Sequence, residues 1–596
     1  MAARAMLEGD YERAISLYRQ LAETSPSPES HEYRYLAAQA MFRAGLSNQA
    51  NEQLDILAGR ALTPDLRMKL QLLRAELPIK RDPTITLELL RTPAVMEHQL
   101  ALSNELYARY HLLRARAFAQ LGEQFDASRE YIVRELYLQH PAHIEANQLA
   151  IWQSLSLLST RSLRQQQLQP PPDVLSGWVE LVKISRDYTL SPQAVQQRLN
   201  DWRQRYRGHP AGERLLQMLV ERSRELAERP ANIALLLPLS GRYAAAAQAI
   251  QDGLLAAYYQ DPRRDTITLR IYDLGDDPEQ VERVYQRAVD EGAEFVIGPL
   301  DKGAVERLAN KQTLPAPTLA LNYAKTPDNE RLYQFTLSPE DEAREVAERA
   351  WQEGHTRAAV LLPKSSLGDR LAEAFAERWQ ALGGTLASEN RYDPEVNDFS
   401  IPIKSLLNLS DSELRKRRLN QLMAGGLEFI PRRRQDVDFI FISAFPRQAR
   451  LLRPQLKFHH AGDLPILATS HLYNGQLNRD ADRDMDDITF CDMPWTLSGD
   501  SPQQALRQKN AAEFQRHSGQ LQRLVALGVD AYQLVPLLPI LESSPFEHYR
   551  GETGKLSVTE DQRVKRSLLW AQFISGTPRL LQERVMEVDG NWQDTN

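Results

Sequence analysis

The spacing of the apolar residues changes abruptly near Arg229–Pro230, and no other feature of the sequence constrains the fold as strongly. Before this point the apolar residues recur at helical intervals, and no convincing strand run occurs. After it, short apolar runs alternate with amphipathic segments, as in proteins whose strands alternate with helices. A chain of 596 residues is several times the usual domain length of ~100–200 residues. We therefore expect an all-helical domain over residues 1–229 and an α/β domain over residues 230–596.

The helical part contains a repeat built on a turn glycine. Each copy has a glycine, then an alanine five residues later and a large apolar residue four residues after that, and a proline closes the copy. A period of roughly 35–40 residues with these features resembles a tetratricopeptide-type array; a helical bundle without true repeats is the alternative. The glycines are Gly9, Gly45 and Gly122, the alanines Ala14, Ala50 and Ala127, the large residues Tyr18, Leu54 and Tyr131, and the prolines Pro26, Pro64 and Pro141; in a degraded fourth copy Asp82 and Leu87 take the glycine and alanine places.

The sequence pattern of residues 230–596 predicts two α/β lobes with parallel sheets. Its strand-like runs lack polar alternation, which indicates strands buried on both faces. The runs fall into two groups separated near Ser338–Pro339, so we expect lobes over about 230–338 and 339–530, with the chain crossing back after about 524 and a closing hairpin within 551–578. The runs are "IALLL" (233–237), "ITLRIYD" (267–273), "EFVIG" (294–298), "TLALNY" (318–323), "AAVLL" (358–362), "DFIFIS" (438–443) and "PILATS" (465–470).

Composition and motifs exclude several classes of function. With 72 basic and 79 acidic residues the formal net charge is -7, so no general attraction to nucleic acid is expected. Cys491 is the single cysteine, which excludes an intrachain disulfide and any site with several cysteine ligands. No apolar stretch approaches the ~20 residues that span a bilayer. No serine precedes a lysine by three residues, and no other nucleophile or metal motif occurs, so we expect neither an enzyme nor a metal or other cofactor.

Several longer stretches carry a resemblance to a known family. They are "LLPLSG", "AIQDGLLAAYY", "FVIGPL", "VLLPKSSLGDRLAEAF", "VDAYQLV" and "TGKLSV", which together resemble the type I periplasmic-binding-protein fold in its leucine-binding branch. A helical repeat domain ahead of that fold, together with "RRRQDVDFIFISAFPRQARLLRPQLKFHHAGDLPILATS", resembles the family of penicillin-binding protein activators. The resemblance extends over essentially the whole chain.

The resemblance implies a noncatalytic regulator of peptidoglycan synthesis. Members of that family are lipoproteins of the outer membrane that face the periplasm, bind a bifunctional class A penicillin-binding protein of the 1A type and stimulate its transpeptidase activity. It implies a signal and an anchor cysteine that this chain does not include, since Cys491 lies deep in the second lobe. Peptidoglycan itself is a further candidate partner. The alternative is a periplasmic solute receptor whose lobes close on an amino acid or a wall peptide.

In such a fold, the loops at the carboxyl ends of the strands line the cleft between the lobes. In the amino-acid-binding proteins that this part resembles, small hydroxyl side chains after the third and fourth strands bind the ligand. This chain has Asp301-Lys302 and Asn322-Tyr323 at those positions. That departure favours a scaffold over a working receptor. The candidate cleft residues are Ser240, Gly241, Arg242, Asp301, Lys302, Asn322, Tyr323, Ser366 and Phe445.

A long basic insertion provides a candidate docking surface for a protein partner. Roughly fifty residues separate the strand-like runs at 384–388 and 438–443, far more than the usual connection. An excess of arginine in an acidic protein suits an acidic patch on a partner or anionic cell-wall polymer, although a solvated helix face is the simpler interpretation. The docking candidates are Arg415, Arg417, Arg418, Arg432, Arg433 and Arg434.

Overall fold

A computed structural model of the chain describes most of its residues and divides them into two compact units. The first unit is Met1–Ser223, and the second begins at Arg224 and includes the described residues up to 581. The domain boundary predicted at 229/230 stays a prediction. The described residues are 1–79, 82–91, 103–158, 162–163, 169–186, 191–225, 229–325, 329–410, 412, 414, 432–497, 503–543 and 547–581.

The described part of the first unit is helical, as the apolar spacing predicted. Its helices are α1 (Ala2–Leu7), α2 (Tyr11–Thr24), α3 (Glu29–Arg43), α4 (Ser47–Ala58), α5 (Pro64–Glu76), α6 (Pro83–Leu89), α7 (Asn104–Gln120), α8 (Gln124–Glu135), α9 (Pro141–Ser156), α10 (Val174–Ser185), α11 (Pro192–Arg205) and α12 (Glu213–Glu225). Neighbours in the chain pack in pairs, among them α2 with α3, α3 with α4 and α7 with α8.

The repeat positions perform the same roles in three copies. Gly9, Gly45 and Gly122 have φ angles of 77°, 78° and 78°, a left-handed conformation that glycine adopts without strain. The three alanines that follow them are fully buried, so the paired helices can approach closely, and the large residues Tyr18, Leu54 and Tyr131 are buried as well. The predicted repeat is therefore confirmed in these copies.

The degraded copy makes its turn by other means. Asp82 has a φ of -146° and precedes α6, where its carboxylate accepts hydrogen bonds from the backbone N–H groups of Thr84 and Ile85. An aspartate at this N-cap satisfies free helix N–H groups, as Asp10 also does for Arg13 at the start of α2 in the first copy. Leu87, in the alanine place, is buried.

The first lobe of the second unit contains a five-stranded parallel sheet in the order β2-β1-β3-β4-β5. The strands β1 and β3 to β5 are almost completely buried, whereas the edge strand β2 is largely exposed. The sheet and its helices are β1 (Asn232–Leu237), α13 (Ala244–Gln260), β2 (Thr268–Asp273), α14 (Val281–Asp290), β3 (Phe295–Ile297), α15 (Lys302–Ala309), β4 (Thr318–Ala320) and β5 (Leu332–Gln334).

The second lobe contains a seven-stranded sheet in the order β15-β14-β10-β9-β8-β6-β7. It is parallel from β7 to β10, whereas β14 and β15 are added in antiparallel fashion. Its elements are α16 (Pro339–Gln352), β6 (Arg357–Pro363), α17 (Ser366–Ala381), β7 (Thr385–Tyr392), α18 (Ser400–Leu406), β8 (Phe439–Ile442), α19 (Pro446–Leu456), β9 (Ile466–Ala468), α20 (Arg479–Asp482) and β10 (Ile488–Asp492).

The remaining elements connect and complete the lobes. They are α21 (Pro494–Leu497), α22 (Gln504–Lys509), α23 (Ala511–Phe514), α24 (Gln520–Leu534), α25 (Leu538–Ser543), β11 (Tyr549–Arg550), β12 (Lys555–Val558), β13 (Val564–Ser567), β14 (Leu569–Ile574) and β15 (Thr577–Leu580). Strands β11 to β13 form a small antiparallel sheet, so the predicted closing hairpin is present. The two-lobed α/β architecture is therefore as predicted.

Helix α24 follows the second lobe in the chain but packs on the first. It lies against α13 at two glycines, where a Cβ on Gly253 would come 2.0 Å from the carbonyl oxygen of Val525. A Cβ on Gly528 would come equally close, 2.0 Å, to the carbonyl oxygen of Ile250. The two backbones touch here, so α24 belongs to the body of the first lobe.

Candidate functional site

The loop after β1 holds the first three cleft candidates in a network of aspartates. The Ser240 hydroxyl donates to Asp273 Oδ2 at 2.8 Å, and the N–H of Leu239 donates to Asp273 Oδ1 at 2.8 Å. Burial alone would raise the pKa of Asp273, but hydrogen bonds from Gly275, Ser240 and Leu239 hold it below its usual range. The Ser240 hydroxyl, which could grip a ligand, is thus bonded to the carboxylate of a neighbouring strand.

Gly241 and Arg242 are bound by a second aspartate. Gly241 has a φ of 89°, and a Cβ there would overlap the carboxylate of Asp276. The N–H of Arg242 donates to Asp276 Oδ1 at 2.8 Å, while its guanidinium lies 4.6 Å from the centroid of the Tyr243 ring and 3.5 Å from Asp301. The glycine is required by this close approach, and the arginine side chain lies on the exposed rim.

Asp301 and Lys302 open helix α15 after β3. Asp301 is the N-cap, where its carboxylate accepts from the N–H of Ala304 at 3.1 Å, a structural role that stabilises the start of the helix. Lys302 is exposed. Beside this helix, a surface depression lined by Pro238, Tyr243 and Asp276 has a cavity volume of about 10 Å³, which is room for about one water molecule rather than an amino acid.

Asn322 and Tyr323 follow β4, and the tyrosine reaches the second lobe. Asn322 closes its own loop, donating from Nδ2 to the carbonyl of Leu300 at 3.1 Å. The Tyr323 hydroxyl donates to Asp341 Oδ2 on α16 at 3.1 Å, and the Arg563 guanidinium lies 5.0 Å from the centroid of its ring. Burial and the neighbouring Asp341 raise the pKa of Tyr323, so the phenol stays protonated and acts as a donor. Tyr323 therefore joins the lobes at the carboxyl end of β4, where the sequence predicted a cleft.

Ser366 and Phe445 lie at the carboxyl ends of β6 and β8 in the second lobe. Ser366 is exposed in the first turn of α17, where the preceding Ser365 caps the helix through the N–H of Gly368 at 3.2 Å. Phe445 is 46% exposed and makes an edge contact with His471, their ring centroids 5.9 Å apart. These two side chains, with Arg242 and Lys302, are the cleft candidates that remain most open to a partner.

A buried polar network between α16, α24 and the ends of β9 and β10 was not anticipated. The Ser470 hydroxyl donates to Glu342 on α16 at 2.8 Å. Arg523 on α24, 4% exposed, donates to the carbonyl oxygens of Ser470 at 3.2 Å and Tyr473 at 2.9 Å and pairs with the fully buried Asp492. Asp492 stands alone in an apolar run, and the rarity of buried charge could have indicated it, whereas Glu342 lies in a charged segment that gives no such signal.

A second buried acid explains two of the stretches that carried the resemblance. Asp530, in "VDAYQLV", accepts hydrogen bonds from the N–H groups of Glu552 at 2.8 Å and Thr553 at 2.7 Å. A Cβ on Gly551 would lie 2.4 Å from Asp530 Oδ2, so only glycine permits the contact. The segment "GETGK", which begins the predicted closing hairpin, therefore also supplies backbone N–H donors to a buried carboxylate of α24.

The basic insertion is only partly described. Arg415, Arg417 and Arg418 lie outside the described residues. Arg433 pairs with Asp463 at 2.5 Å, and Arg434 makes two 2.8 Å hydrogen bonds to Asp436, whose pKa falls to about 2 because of that guanidinium. Arg432 is exposed. Of the three described docking candidates, two are thus neutralised within the chain, and the docking role of the six arginines stays a prediction.

Three further properties bear on function. In the part of the chain that the structure describes, no group of three or more histidine, cysteine, aspartate or glutamate side chains is arranged to hold a metal ion. Among those same residues, no helix combines the length and the apolar character needed to cross a membrane. Cys491 is fully buried in β10.

Comparison with known proteins finds similarity along nearly the whole chain to one family of lipoproteins. The family described as "LppC putative lipoprotein" matches residues 10–576. The penicillin-binding protein activator LpoA of Photobacterium profundum is 31% identical over 561 residues, which cover 93% of this chain and 89% of that protein. The protein of the same name from Vibrio antiquarius is 28% identical over 578 residues, covering 94% and 92%.

A solved structure shares the fold over the same extent. Full-length LpoA from Haemophilus influenzae matches with a TM-score of 0.50 and 23% sequence identity, covering 95% of this chain and 98% of that chain. At this identity the likeness shows a common fold, a helical domain followed by a two-lobed α/β domain.

Proposed function

Because the chain belongs to the LppC lipoprotein family and to the family of penicillin-binding protein activators, we propose that it binds a class A penicillin-binding protein of the 1A type and stimulates its transpeptidase activity. The observation that carries the proposal is the match along nearly the full length of both chains to a protein named as an activator. The function would be regulatory, with the cross-linking chemistry performed by the partner.

The cleft supports this function better than that of a solute receptor. Ser240 and Asp301 are engaged with neighbours of their own lobe, and Tyr323 bonds across to Asp341. A receptor must leave such groups available, since a ligand binds through donors and acceptors that the protein does not itself satisfy. The main prediction is therefore favoured over the receptor alternative.

The physical requirement on an activator is a difference in affinity. Binding must favour the active state of the synthase over its inactive state, by ~1–3 kcal/mol for a typical coupling. A protein that binds both states equally shifts nothing, however tightly it binds. A rigid surface that fits one state of the partner would meet this requirement.

We also propose a location at the outer membrane, facing the periplasm. The family description as a lipoprotein supports a lipid anchor. Cys491 would not carry it, because that thiol is fully buried in a central strand. Membrane fractionation of the host, with radiolabelled palmitate incorporation into the full-length gene product, tests this point; a product found unlabelled in the cytoplasmic fraction would contradict it.

The decisive experiment adds the purified chain to a class A synthase of its own host with lipid-linked substrate. We expect the cross-linked fraction to rise saturably with the amount of chain. The chain alone should form no cross-links, and a synthase lacking its transpeptidase nucleophile should show no gain. Failure to stimulate every class A synthase of the host would refute the proposal.

A further inference from the structure

We propose that buried contacts of the chain itself hold the two lobes as one rigid body, without any small ligand. Two contacts carry this inference, the pair of Arg523 with Asp492 and the hydrogen bond of Tyr323 with Asp341. The inference goes beyond the proposed function, because it concerns the joint between the lobes whether or not a partner is present.

The first contact joins elements that belong to different lobes. Arg523 is on α24, whose backbone touches α13 of the first lobe at Gly253 and Gly528. Its partners belong to the second lobe, where Asp492 ends β10 and Ser470 follows β9.

Separation of this pair would leave two charges without partners in the interior. Arg523 is 4% exposed and Asp492 is 0% exposed. The attraction within a buried ion pair does little more than offset the cost of removing both charges from water. Separation of the two partners is nevertheless strongly unfavourable, because each charge then stays buried without a partner. Any rotation of the lobes that parts these groups is opposed for that reason.

Glu342 extends the contact into the frame of the second lobe. It lies on α16, which packs against α17 and β9, and it accepts from both the N–H and the hydroxyl of Ser470, at 3.0 and 2.8 Å. Arg523 donates to the carbonyl of that same Ser470. The guanidinium therefore bonds to a loop that α16 already fixes, rather than to a free segment.

The second contact lies at the carboxyl end of the first sheet. The Tyr323 hydroxyl bonds to Asp341 in the first turn of α16, and the ring packs under Arg563 beside the β13 strand. The hairpin is itself joined to the first sheet, since the N–H of Gln334 donates to the carbonyl of Gln562 at 3.0 Å. The two contacts thus hold the joint at separate points, which opposes both bending and twisting.

The inference can be tested by distances between spin labels on the full chain. Gln286 on α14 and Gln380 on α17 are exposed, one on each lobe, and the buried Cys491 should not react. With Gln286→Cys and Gln380→Cys labelled, double electron–electron resonance should give a single narrow distance distribution. Amino-acid and wall-peptide mixtures should leave it unchanged.

Loss of the contacts should loosen the joint. In a chain with Arg523→Met, Asp492→Leu and Tyr323→Phe, we expect the distribution to become at least twofold wider or to gain a second maximum. Arg453→Met is the matched control, because Arg453 is equally buried but bonds only within the second lobe, to Asp486, Gly462 and Asp487. That control should keep the narrow distribution even if it lowers the melting temperature.

Two results would overturn the inference. One is a wild-type chain that shows two distances or shifts on addition of the mixtures. The other is a folded triple variant whose distribution matches those of the wild type and of Arg453→Met. Should the triple variant fail to fold, the wild-type chain decides: a single narrow distance that the mixtures leave unchanged supports the inference, and two distances or a shift refute it.

Discussion

His209 is a residue whose geometry requires one protonation state. Its Nε2 lies 2.8 Å from the carbonyl oxygen of Val174, and its Nδ1 accepts from the N–H of Ala211 at 3.1 Å. The first contact needs a proton on Nε2 and the second needs a lone pair on Nδ1, so the ring must be neutral. Burial lowers the pKa of His209 below its usual value, in agreement with this geometry.

A pH dependence follows, and its sign is fixed by that lowered pKa. The stabilisation is fully present above the ordinary histidine pKa of ~6.5 and is lost as pH falls toward the folded value, because the unfolded chain takes up the proton first. Each unit by which folding lowers the pKa of His209 adds ~1.4 kcal/mol to the free energy of unfolding at pH values above ~6.5. Between pH 7.5 and 5.5 we expect the melting temperature of the wild type to fall by a few degrees more than that of His209→Gln. His143→Asn, at an exposed position, should melt with the wild-type pH dependence; equal slopes for all three would contradict the assignment.

Arg432 and Arg434 separate a docking role from a structural one. Arg432→Glu should leave the free energy of unfolding within the ±0.5 kcal/mol typical of surface changes, yet weaken synthase binding by roughly threefold to tenfold and reduce its salt dependence. Arg434→Glu should destabilise the chain by ~1 kcal/mol, because it replaces a bidentate pair with Asp436 by two like charges. Binding titrations at two salt concentrations, with melting curves for both variants, check this. An Arg432→Glu chain that binds as the wild type does would remove the docking candidate.

The sequence revealed residue types but not their partners. It showed a run of three arginines, and it could not show that Arg433 meets Asp463, which is distant in the chain. Tyr323 was singled out because it departs from the small hydroxyl expected in amino-acid-binding relatives. Its bond to Asp341, however, depends on how two lobes meet, and no local pattern encodes that meeting.

At the scale of elements, the glycine contact between α13 and α24 should be intolerant of any side chain. A methyl at Gly253 or Gly528 would overlap a backbone carbonyl oxygen of the other helix, so the helices must part and their buried neighbours lose contact. We expect each alanine variant to lose ~1–3 kcal/mol, the usual cost of overpacking, or more because backbone cannot rotate away. Gly462→Ala is the control, since its new methyl would come no nearer than 3.5 Å to another group and its φ of -68° suits alanine. Denaturant unfolding measures all three; an unchanged Gly528→Ala would show that the helices separate freely.

The elements themselves were largely predictable. Strands β1, β3, β6, β8 and β9 lie within one or two residues of the apolar runs that predicted them, because burial on both faces makes such strands uniformly apolar; β4 ends three residues before its predicted run does. The three-residue strand β5 escaped notice, since "LYQ" offers too short a pattern. The start of the long insertion contributes to the core, which the sequence analysis did not predict: α18 buries Ile403 and Leu406 in the second lobe.

At the scale of the whole molecule, function could be predicted only through resemblance. Composition and missing motifs argued against nucleic-acid binding and several catalytic classes, yet they favoured no activity. The same two-lobed fold serves receptors and regulators alike, so architecture alone leaves both open. The distinction rests on whether the cleft side chains are free or bonded within the chain.

Thermal melting with candidate ligands tests that distinction directly. A receptor at a hundredfold its dissociation constant gains ~2.7 kcal/mol, which would raise the melting temperature by several degrees. We expect pools of amino acids and wall peptides to produce no such shift, because the Ser240 hydroxyl and the Tyr323 hydroxyl already have partners and the depression beside α15 holds about 10 Å³. Tyr323→Phe should also show no shift with these pools, since it removes the bond to Asp341 without creating a binding site for a ligand. A pool that stabilises the wild type, and does so less for Ser240→Ala, would show instead that this cleft still binds a small molecule, and the activator would then also be a sensor.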